Sequence, residues 1–365
     1  MKVVTIAVGE LQEFIQREQY AAFEQVPITP LRAHSQFHNP NAQKNDVALV
    51  LALSEEGQVL SYMGCLPDRL AADPTRKICW CSCWWTHPEK GAGTAMPVLY
   101  QALQSWQGQM LFDALPPRSI AILERLRFLH FETITGQQFS LRFKLAQALP
   151  KRFSLLKPGT SILQGTDWML NQLQGLRLRK KQADLNNWQL TWPNRIDAEA
   201  AQFIQKQSQQ ELIARQAPQL NWVLDYPWLD EQTGGEGPFS QSYFFSAHAQ
   251  RFFYRILQLT DGEQNEIKAL LILSYRDGVV RLPYVYAVDE AIEALPPILF
   301  EILVDWSATT LICFHAPLIA AFQKRRLPFL FQKAISKTLG IPLTLQAHLA
   351  ERPKIQDGDG DVVFT

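Results

Sequence analysis

The segment Lys90 to Ala95, KGAGTA, has the composition and position of an anion-binding loop. It follows an apolar alternating run, Ile78 to Trp85, which predicts a strand, and precedes apolar residues at helical spacing that begin at Met96. The first amides of a helix lack intrahelical partners and lie at the positive end of the helix dipole, so phosphate is a suitable ligand. Glycine lets the backbone approach such a ligand closely. An ordinary strand-to-helix turn would explain the same pattern.

The segments around this loop predict an ordered series of strands and helices. Strands are predicted for Val3 to Val8, Val47 to Leu53, Val59 to Leu66, Ile78 to Trp85, Met110 to Leu115 and Phe131 to Ser140. Helices are predicted for Glu10 to Phe23, from Gly91 onward, and for Arg118 to Leu126. The passage from Val26 to Pro40 is predicted to be irregular. Within the strand before the loop, Cys79, Cys81 and Cys83 are expected to share one packed face.

The loop and the elements after it resemble the GNAT (GCN5-related) acyltransferases. That family's pyrophosphate loop is basic and rich in glycine, with Lys90 in the basic place here, and Pro88 and Glu89 precede it as is usual in the family. Leu111 to Phe128 resembles the next strand and helix of the same fold. More loosely, Val26 to Pro40 is similar to the early segment of a bacterial GNAT-like group.

The second half of the chain is predicted to repeat the first without its loop. Two strands, Phe252 to Thr260 and Ile267 to Tyr275, are followed by a tight turn at Arg276-Asp277-Gly278. A strand, a helix, a strand and a helix come next: Val279 to Val288, Ala291 to Trp306, Thr309 to Phe314 and Pro317 to Arg325. An earlier helix is predicted from Ala198 to Arg215. Three carboxylates at 289–293 replace the glycines, so this half is not expected to bind coenzyme A.

The resemblance therefore implies a mixed α/β (α+β) fold of two tandem GNAT-like domains. Each would have a mixed, largely antiparallel sheet flanked by helices. We predict a GNAT-like domain with the acyl-CoA loop at 1–150, a helical linker at 151–187, and a second GNAT-like domain without the loop at 188–365.

The resemblance also implies a site for acyl-CoA, acetyl-CoA in the first instance, as co-substrate. Backbone groups would contact the pantetheine arm and the loop would bind the pyrophosphate. The implied residues are Trp84, Trp85, Thr86, Lys90, Gly91, Ala92, Gly93, Thr94 and Ala95. A small-molecule or peptidic amine would be the acceptor.

Catalytic groups are harder to assign. The tyrosine that many family members use as a proton donor falls at Leu123, and the usual glycine before Phe128 is Arg127. Asp68 and His87 are our catalytic candidates, with Tyr62 and Asp113 as further possibilities. Each has an equally good structural interpretation: a loop acid, a turn residue, a core tyrosine and a helix cap, respectively.

Composition restricts the class of protein. The 365 residues include 35 basic and 35 acidic side chains, so the formal charge is zero and nucleic acid is not an expected partner. The short apolar start and the lack of a long uncharged apolar run favour a protein without a membrane span. Five cysteines fit a reducing cytoplasm better than a disulfide framework. No metal site is predicted, because a glycine turn explains Asp357 to Asp361 better than a calcium loop.

Three functions stay open. The first is an acyl-CoA-dependent N-acyltransferase. The second is a non-catalytic protein that binds acyl-CoA or another ligand, which the leucine at 123 favours. The third is a Fem-type aminoacyl-tRNA-dependent transferase, since tandem GNAT-like halves occur in that group too. The oligomeric state and the acceptor are not defined by these patterns.

Overall fold

The computed structural model describes residues 1–146, 149, 160–178, 187–231, 239, 242–349 and 353–365. These residues form two compact units. Unit 1 contains Met1–Ile134, Asn194–Phe252 and Lys337–Thr365, and unit 2 contains Thr135–Pro193 and Phe253–Ser336. Among the described residues, no helix has both the length and the hydropathy that crossing a bilayer requires.

The elements up to Ser140 follow the predicted order, with differences at the start of the chain. The strands are β1 (Lys2–Ala7), β2 (Val47–Leu53), β3 (Val59–Arg69), β4 (Lys77–Thr86), β5 (Met110–Phe112) and β6 (Leu129–Ser140). The helices are α1 (Leu11–Phe14), α2 (Glu18–Ala21), α3 (Pro30–Phe37), α4 (Ala95–Ser105) and α5 (Pro117–Leu126).

The later elements include the predicted repeat. The described helices are α6 (Thr160–Leu178), α7 (Ala198–Gln207), α8 (Ala217–Asp225), α9 (Asp289–Asp305) and α10 (Ala316–Lys324). The strands are β7 (Trp188–Thr191), β8 (Asp230–Glu231), β9 (His248–Ala249), β10 (Phe252–Asp261), β11 (Ile267–Arg276), β12 (Val279–Ala287), β13 (Thr310–Cys313) and β14 (Phe331–Pro342). Short 3₁₀ turns occupy Val8–Glu10, Leu343–His348 and Val362–Phe364.

Unit 1 is built on a sheet in which β1, β2, β3 and β4 pair antiparallel in sequence order. β4 then pairs with β5 in parallel, from Cys79 opposite Met110 to Cys81 opposite Phe112. A parallel neighbour needs a crossover, and α4 provides it. The apolar residues of α4, including Val98, Leu99 and Ala102, pack with Cys79, Met110 and Phe112 in one core cluster. The strand, loop, helix and strand predicted around the glycines are therefore present.

Unit 2 repeats this arrangement. β10 pairs antiparallel with β7, β11 pairs antiparallel with β12, and β12 pairs in parallel with β13, with α9 as the crossover. The hairpin turn between β11 and β12 has positive φ at Asp277 (48°) and Gly278 (84°), as the sequence predicts for a two-residue turn. Asp289 and Glu290 lie in the first turn of α9, where unit 1 has its glycine loop. The mixed, largely antiparallel sheets confirm the predicted fold class.

The compact units differ from the predicted domain ranges. In unit 1, the strand beside β5 is the end of β14, with Gly340 opposite Phe112. In unit 2, the strand beside β13 is the end of β6, with Ser140 opposite Thr310. Each unit thus completes its sheet with a strand from the other half of the sequence. The segment 194–252, which was predicted as part of the second domain, belongs to unit 1. Of the predicted linker, 151–187, the structure describes α6 and residue 187, and the residues at 151–159 and 179–186 lie outside the described part of the chain.

Two helix predictions were wrong in their bounds. The predicted helix from Glu10 to Phe23 is broken into a 3₁₀ turn and the short helices α1 and α2, and this break lets the rings of Phe14, Tyr20 and Phe23 meet at 5.7–6.4 Å. The predicted helix from Ala198 to Arg215 ends at Gln207.

The passage from Val26 to Pro40 was predicted to be irregular but contains α3. Thr29 caps this helix by accepting a hydrogen bond from the amide of Arg32, and Pro30 occupies its first turn. Thr-Pro is a recognisable helix start, because proline has no amide to lose there and threonine accepts one of the unpaired amides.

A β-bulge in β4 changes which cysteines share a face. The register between β3 and β4 shifts between Tyr62 and Gly64, and Cys83 has a φ of 63°. Cys79 and Cys81 pack on the α4 side, whereas Cys83 packs on the opposite side with Tyr62, Trp85 and Tyr243. The prediction of one common cysteine face was therefore wrong. A left-handed cysteine costs on the order of 1–3 kcal/mol, so the surrounding contacts of unit 1 must hold it.

The last described segment of the chain, after β14, is packed inside unit 1. Gly360 makes a turn with a φ of +82°, and Asp357 and Asp359 are buried. Lys337 Nζ lies 3.0 Å from Asp113 and 3.7 Å from Asp357. Gln356 donates a hydrogen bond of 2.7 Å to Glu211, whose other carboxylate oxygen has no hydrogen-bond partner among the described residues.

Burial of Glu211 makes the stability of unit 1 depend on pH. Burial raises the pKa of this carboxyl from 4.5 to about 7, and the hydrogen bond from Gln356 and the charge of Arg215 oppose the increase. The folded protein therefore keeps a proton that the unfolded chain loses above about 4.5. The unfolding free energy must fall as pH rises through this range.

We predict that Glu211→Gln reduces the fall of the unfolding free energy with rising pH. Wild-type protein should lose on the order of 3 kcal/mol through this group between pH 4.5 and 7. The glutamine variant should show a flatter dependence in urea unfolding at several pH values. Glu13→Gln, which removes an exposed carboxylate, is the control. An identical pH dependence in wild type and Glu211→Gln would contradict this assignment.

Candidate acyl-CoA site

The loop between β4 and α4 is folded tightly around His87. The Nδ1 atom of His87 accepts hydrogen bonds from the amides of Glu89 (3.1 Å) and Lys90 (3.0 Å), and its carbonyl accepts one from the amide of Gly91. A Cβ atom on Gly91 would lie 2.6 Å from that carbonyl oxygen, so only glycine fits. His87, predicted as catalytic, therefore acts as a loop cap in this structure, and its Nδ1 is already occupied.

The loop leaves several amides at the start of α4 without partners. The hydroxyl of Thr94 donates to the carbonyl of Gly91 at 2.8 Å, and Thr94 makes no side-chain cap to the helix. Within the described residues, no acceptor is recorded for the amides of four residues here: Ala92, Gly93, Ala95 and Met96. Gly93 has a φ of +78° and no atom within 4 Å of its Cβ position. These unpaired amides at a helix N-terminus form a suitable cradle for a phosphate group.

Lys90 and a cavity lie beside the loop. Lys90 is exposed, and its Nζ is 3.7 Å from a carboxylate oxygen of Glu24. The two side chains help line a cavity of about 300 Å³ that Trp85 and His87 also border. The predicted loop residues Lys90 to Ala95 are thus together at one end of α4.

The residues predicted to contact the pantetheine arm lie beyond the paired part of β4 and β5. The last parallel pair joins Cys81 to Phe112, and in the described chain β4 has no further pair with β5. Trp84, Trp85 and Thr86 follow this point. The indole Nε1 of Trp84 is buried and has no hydrogen-bond partner among the described residues. Two strands that stop pairing leave a gap whose backbone and side-chain donors can contact a ligand.

Asp68, the other predicted catalytic residue, is instead the centre of a buried polar network in unit 1. Its side chain is 1% exposed and lies 2.7 Å from Arg215 Nη2, which is 2% exposed. It also accepts hydrogen bonds from Asn41 Nδ2, Trp80 Nε1 and the amide of Arg69, at 2.8, 2.9 and 2.9 Å. A carboxylate that accepts this many hydrogen bonds has little capacity left to act as a base. This structural role could not be seen in the sequence, because Arg215 is distant along the chain.

The remaining candidates also have structural partners. Asp113 pairs with Lys337; burial raises the pKa of Asp113, and the lysine opposes that shift. Asp113 does not cap α5, whose N-cap is Pro116. Tyr62 is fully buried, and burial raises the pKa of its hydroxyl. Leu123 is buried in the core, and Arg127 adopts the left-handed conformation (φ 53°) that favours the glycine usual at this position.

The sequence did not reveal a polar cluster at the bulge of β4. The Sγ of Cys83 accepts hydrogen bonds from Arg32 Nη1 at 2.7 Å and from the hydroxyl of Tyr243 at 3.3 Å. Asp361 Oδ2 lies 4.0 Å from the same sulfur and accepts a hydrogen bond of 2.6 Å from Ser82. The Thr-Pro helix start would have placed Arg32 on a helix, but strict strand alternation put Cys83 on the wrong face.

The charges in this cluster oppose one another. Burial raises the pKa of the Cys83 thiol, and the Arg32 guanidinium opposes that increase. Burial lowers the pKa of Arg32, but its neighbours, Cys83 first among them, raise it more, so the guanidinium stays charged. Arg32 is held 4.3 Å above the ring of Trp228 and donates to the carbonyl of Ser246 at 3.2 Å. Tyr243 is buried, and burial raises the pKa of its hydroxyl, which therefore keeps its proton.

Comparisons with known proteins support the fold. No family model and no curated protein matches the chain. Among solved structures, Saccharomyces cerevisiae N-myristoyltransferase with bound myristoyl-CoA aligns with a TM-score of 0.52 and 10% identity, over 99% of this chain and 83% of that one. A probable N-acyltransferase from Enterococcus faecalis aligns with a TM-score of 0.51 and 11% identity, over 94% and 73%.

A GCN5-related N-acetyltransferase from Kribbella flavida also aligns, with a TM-score of 0.48 and 11% identity, over 93% of this chain and 71% of that one. The alignments with the N-myristoyltransferase and the probable N-acyltransferase show that the chain shares their overall fold. Fold likeness at this identity leaves the residues of the site to be judged on their own geometry.

We predict that Asp68 is required for stability. Asp68→Asn removes the carboxylate charge 2.7 Å from the buried Arg215 guanidinium, so it should lower the unfolding free energy by about 3–5 kcal/mol. The control is Arg17→Ala, which breaks the exposed pair between Arg17 and Glu13 and should cost no more than about 1 kcal/mol. Urea unfolding measures both. An Asp68→Asn variant as stable as wild type would contradict the structural role.

Proposed function

We propose that this chain is an acyl-CoA-dependent N-acyltransferase, with acetyl-CoA as the first co-substrate to test. The observation that carries the proposal is the cradle at the start of α4, where the amides of Ala92, Gly93, Ala95 and Met96 have no recorded acceptor among the described residues. A pyrophosphate group would accept hydrogen bonds from these amides at the positive end of the helix dipole. Lys90 is exposed beside them and would add a cation.

The gap between β4 and β5 is our proposed path for the pantetheine arm. Trp84, Trp85 and Thr86 continue past the last pair with β5, and the buried Nε1 of Trp84 lacks a partner among the described residues. An unpaired buried donor is costly, and an amide carbonyl of pantetheine would satisfy it. The acceptor would be a small or peptidic amine.

Unit 2 is proposed to have a different role. Asp289 and Glu290 at the start of α9 would repel a pyrophosphate, since like charges in contact are unfavourable. The five cysteines of the chain are free, which fits a reducing compartment such as the cytoplasm.

A non-catalytic acyl-CoA-binding protein is the second candidate. It is favoured by the leucine at 123 and by the structural partners of Asp68 and His87. Release of free coenzyme A thiol from acetyl-CoA, dependent on a primary amine such as free lysine or a short peptide, separates the two. Coenzyme binding without release would favour the binding protein. A third outcome, product formation that requires aminoacyl-tRNA, would favour the Fem-type transferase.

We predict that Gly93→Asp weakens acetyl-CoA binding measured by isothermal titration. The new carboxylate would stand in the phosphate cradle and repel the ligand, and the affinity should fall by at least tenfold, or about 1.4 kcal/mol. Gly108→Asp is a matched control. Gly108 also has a positive φ (73°) and nothing within 4 Å of its Cβ position, but it follows the C-terminal end of α4.

Both variants place an aspartate at a left-handed position, so backbone strain affects both. A difference between them therefore reports the charge in the phosphate cradle. The affinity should stay near the wild-type value in Gly108→Asp and fall at least tenfold in Gly93→Asp. Wild-type protein that shows no binding, or equal binding by the two variants, would refute the proposed site.

A further inference from the structure

Cys83 is placed on the face of β4 opposite α4 by the bulge in that strand. The bulge lies where the parallel pairing of β4 with β5 has just ended, at Cys81. Cys83 is half-buried and keeps a left-handed backbone (φ 63°) that a cysteine rarely adopts. Strain at such a position is retained where the side chain has to point in one direction.

We propose that Cys83 is a catalytic nucleophile that carries the acyl group from coenzyme A to the amine as a thioester. This inference rests on the proposed function, since it requires acyl-CoA to bind beside β4. It replaces direct attack by the amine with two transfers, the first to the sulfur of Cys83 and the second from it.

A nucleophilic thiolate needs groups that stabilise its negative charge and a base that removes the thiol proton, and different neighbours of the sulfur provide these two functions. Arg32 Nη1 and the hydroxyl of Tyr243 donate to Sγ at 2.7 and 3.3 Å, and both contacts stabilise negative charge on the sulfur. Asp361 Oδ2, at 4.0 Å, is placed to take the thiol proton. Ser82 donates to Asp361 at 2.6 Å and holds this carboxylate beside the thiol.

Contacts with Trp228 and Ser246 fix the position of the Arg32 guanidinium. Its guanidinium is buried, lies 4.3 Å from the centre of the Trp228 ring and donates to the carbonyl of Ser246. A cation held by an aromatic face and a carbonyl cannot easily turn away from the sulfur. Arg32 is therefore a positioning residue for the charge on Cys83.

The chemistry balances without another reactant. Asp361 takes the proton from Cys83, and the thiolate attacks the acyl carbonyl; a carbon–sulfur bond forms to Cys83 and the bond to coenzyme A sulfur breaks. Asp361 then returns the proton to the departing coenzyme A thiolate. In the second transfer the amine attacks the thioester, Asp361 accepts the amine proton, and Cys83 leaves as thiolate and regains that proton. The products are an amide and free coenzyme A.

Cys81 provides a matched comparison on the same strand. It lies on the α4 side of the sheet, and burial raises the pKa of its thiol well above the usual value. Burial raises the pKa of the Cys83 thiol too, but there the Arg32 guanidinium opposes the increase, whereas no described cation does so at Cys81. Cys81 should therefore stay unacylated under conditions that acylate Cys83.

The experiment uses the full chain and acetyl-CoA alone, with no amine added. After acid quenching, intact-mass measurement should show a gain of one acetyl group, which hydroxylamine removes and peptide mapping places on Cys83. Free coenzyme A thiol should appear in a burst stoichiometric with the protein. Cys83→Ser should lose both signals, whereas Cys81→Ser should keep them. Arg32→Lys should slow the burst and shift its pH profile, because an ammonium group cannot reproduce the guanidinium contacts.

Three results are informative. A thioester on Cys83 that passes its acetyl group to an added amine supports the inference. Wild-type protein that binds acetyl-CoA but forms no thioester, or a Cys83→Ser variant with wild-type turnover, overturns it while leaving the proposed acyltransferase intact. If wild-type protein does not bind acetyl-CoA in the titration, both proposals fail. Because the wild-type mapping does not depend on a variant, misfolding of Cys83→Ser would not hide the answer.

Discussion

The buried ion pair between Asp68 and Arg215 is the contact on which the arrangement of unit 1 depends. Two charges with almost no exposure are tolerable only when each is paired and hydrogen-bonded, and Asp68 meets that condition with Arg215, Asn41 and Trp80. The pair joins the end of β3 to the segment 194–252. A neighbouring contact, from Gln219 to Asn41 at 2.9 Å, joins α8 of that segment to the loop after α3.

This anchoring has consequences for the site that we propose at Cys83. The segment 194–252 also supplies Trp228, Tyr243 and Ser246, all of which contact Arg32 or Cys83. The segment after β14 supplies Asp361 to the same cluster. A thiol on one strand of unit 1 is thus surrounded by groups from three separate parts of the chain. Neither the thiol nor the arginine would have the same chemistry if those segments packed elsewhere.

The loop before α4 and the bulge in β4 require different backbone conformations and different residue types. The loop needs glycine, because His87 approaches the backbone at Gly91 and the amides at Gly93 must stay open. The bulge needs a side chain at a left-handed position, and its strain is balanced by the packing of Cys83 with Tyr62 and Trp85. Binding and chemistry are proposed to use these two features separately. This division explains why the loop alone does not identify a catalyst.

Local patterns in the sequence determined much of the fold. The alternation of β4, the glycines after it, the apolar face of α4 and the hairpin turn at Asp277 and Gly278 are short-range features, and each can be predicted from neighbouring residues alone. The repeat in the second half was predicted in the same way. The sequence also predicted the loop from Lys90 to Ala95, and the structure brings those residues together at the start of α4.

Only the tertiary structure decided the contents of the two units and the roles of the polar residues. The exchange of β6 and β14 depends on hydrogen bonds between strands from opposite halves of the chain, and no local pattern records such pairing. Asp68 and His87 look like catalytic candidates until their partners are known. Cys83 looks like an ordinary core residue until a one-residue bulge turns it to the other face, because side chains alternate strictly along a regular strand.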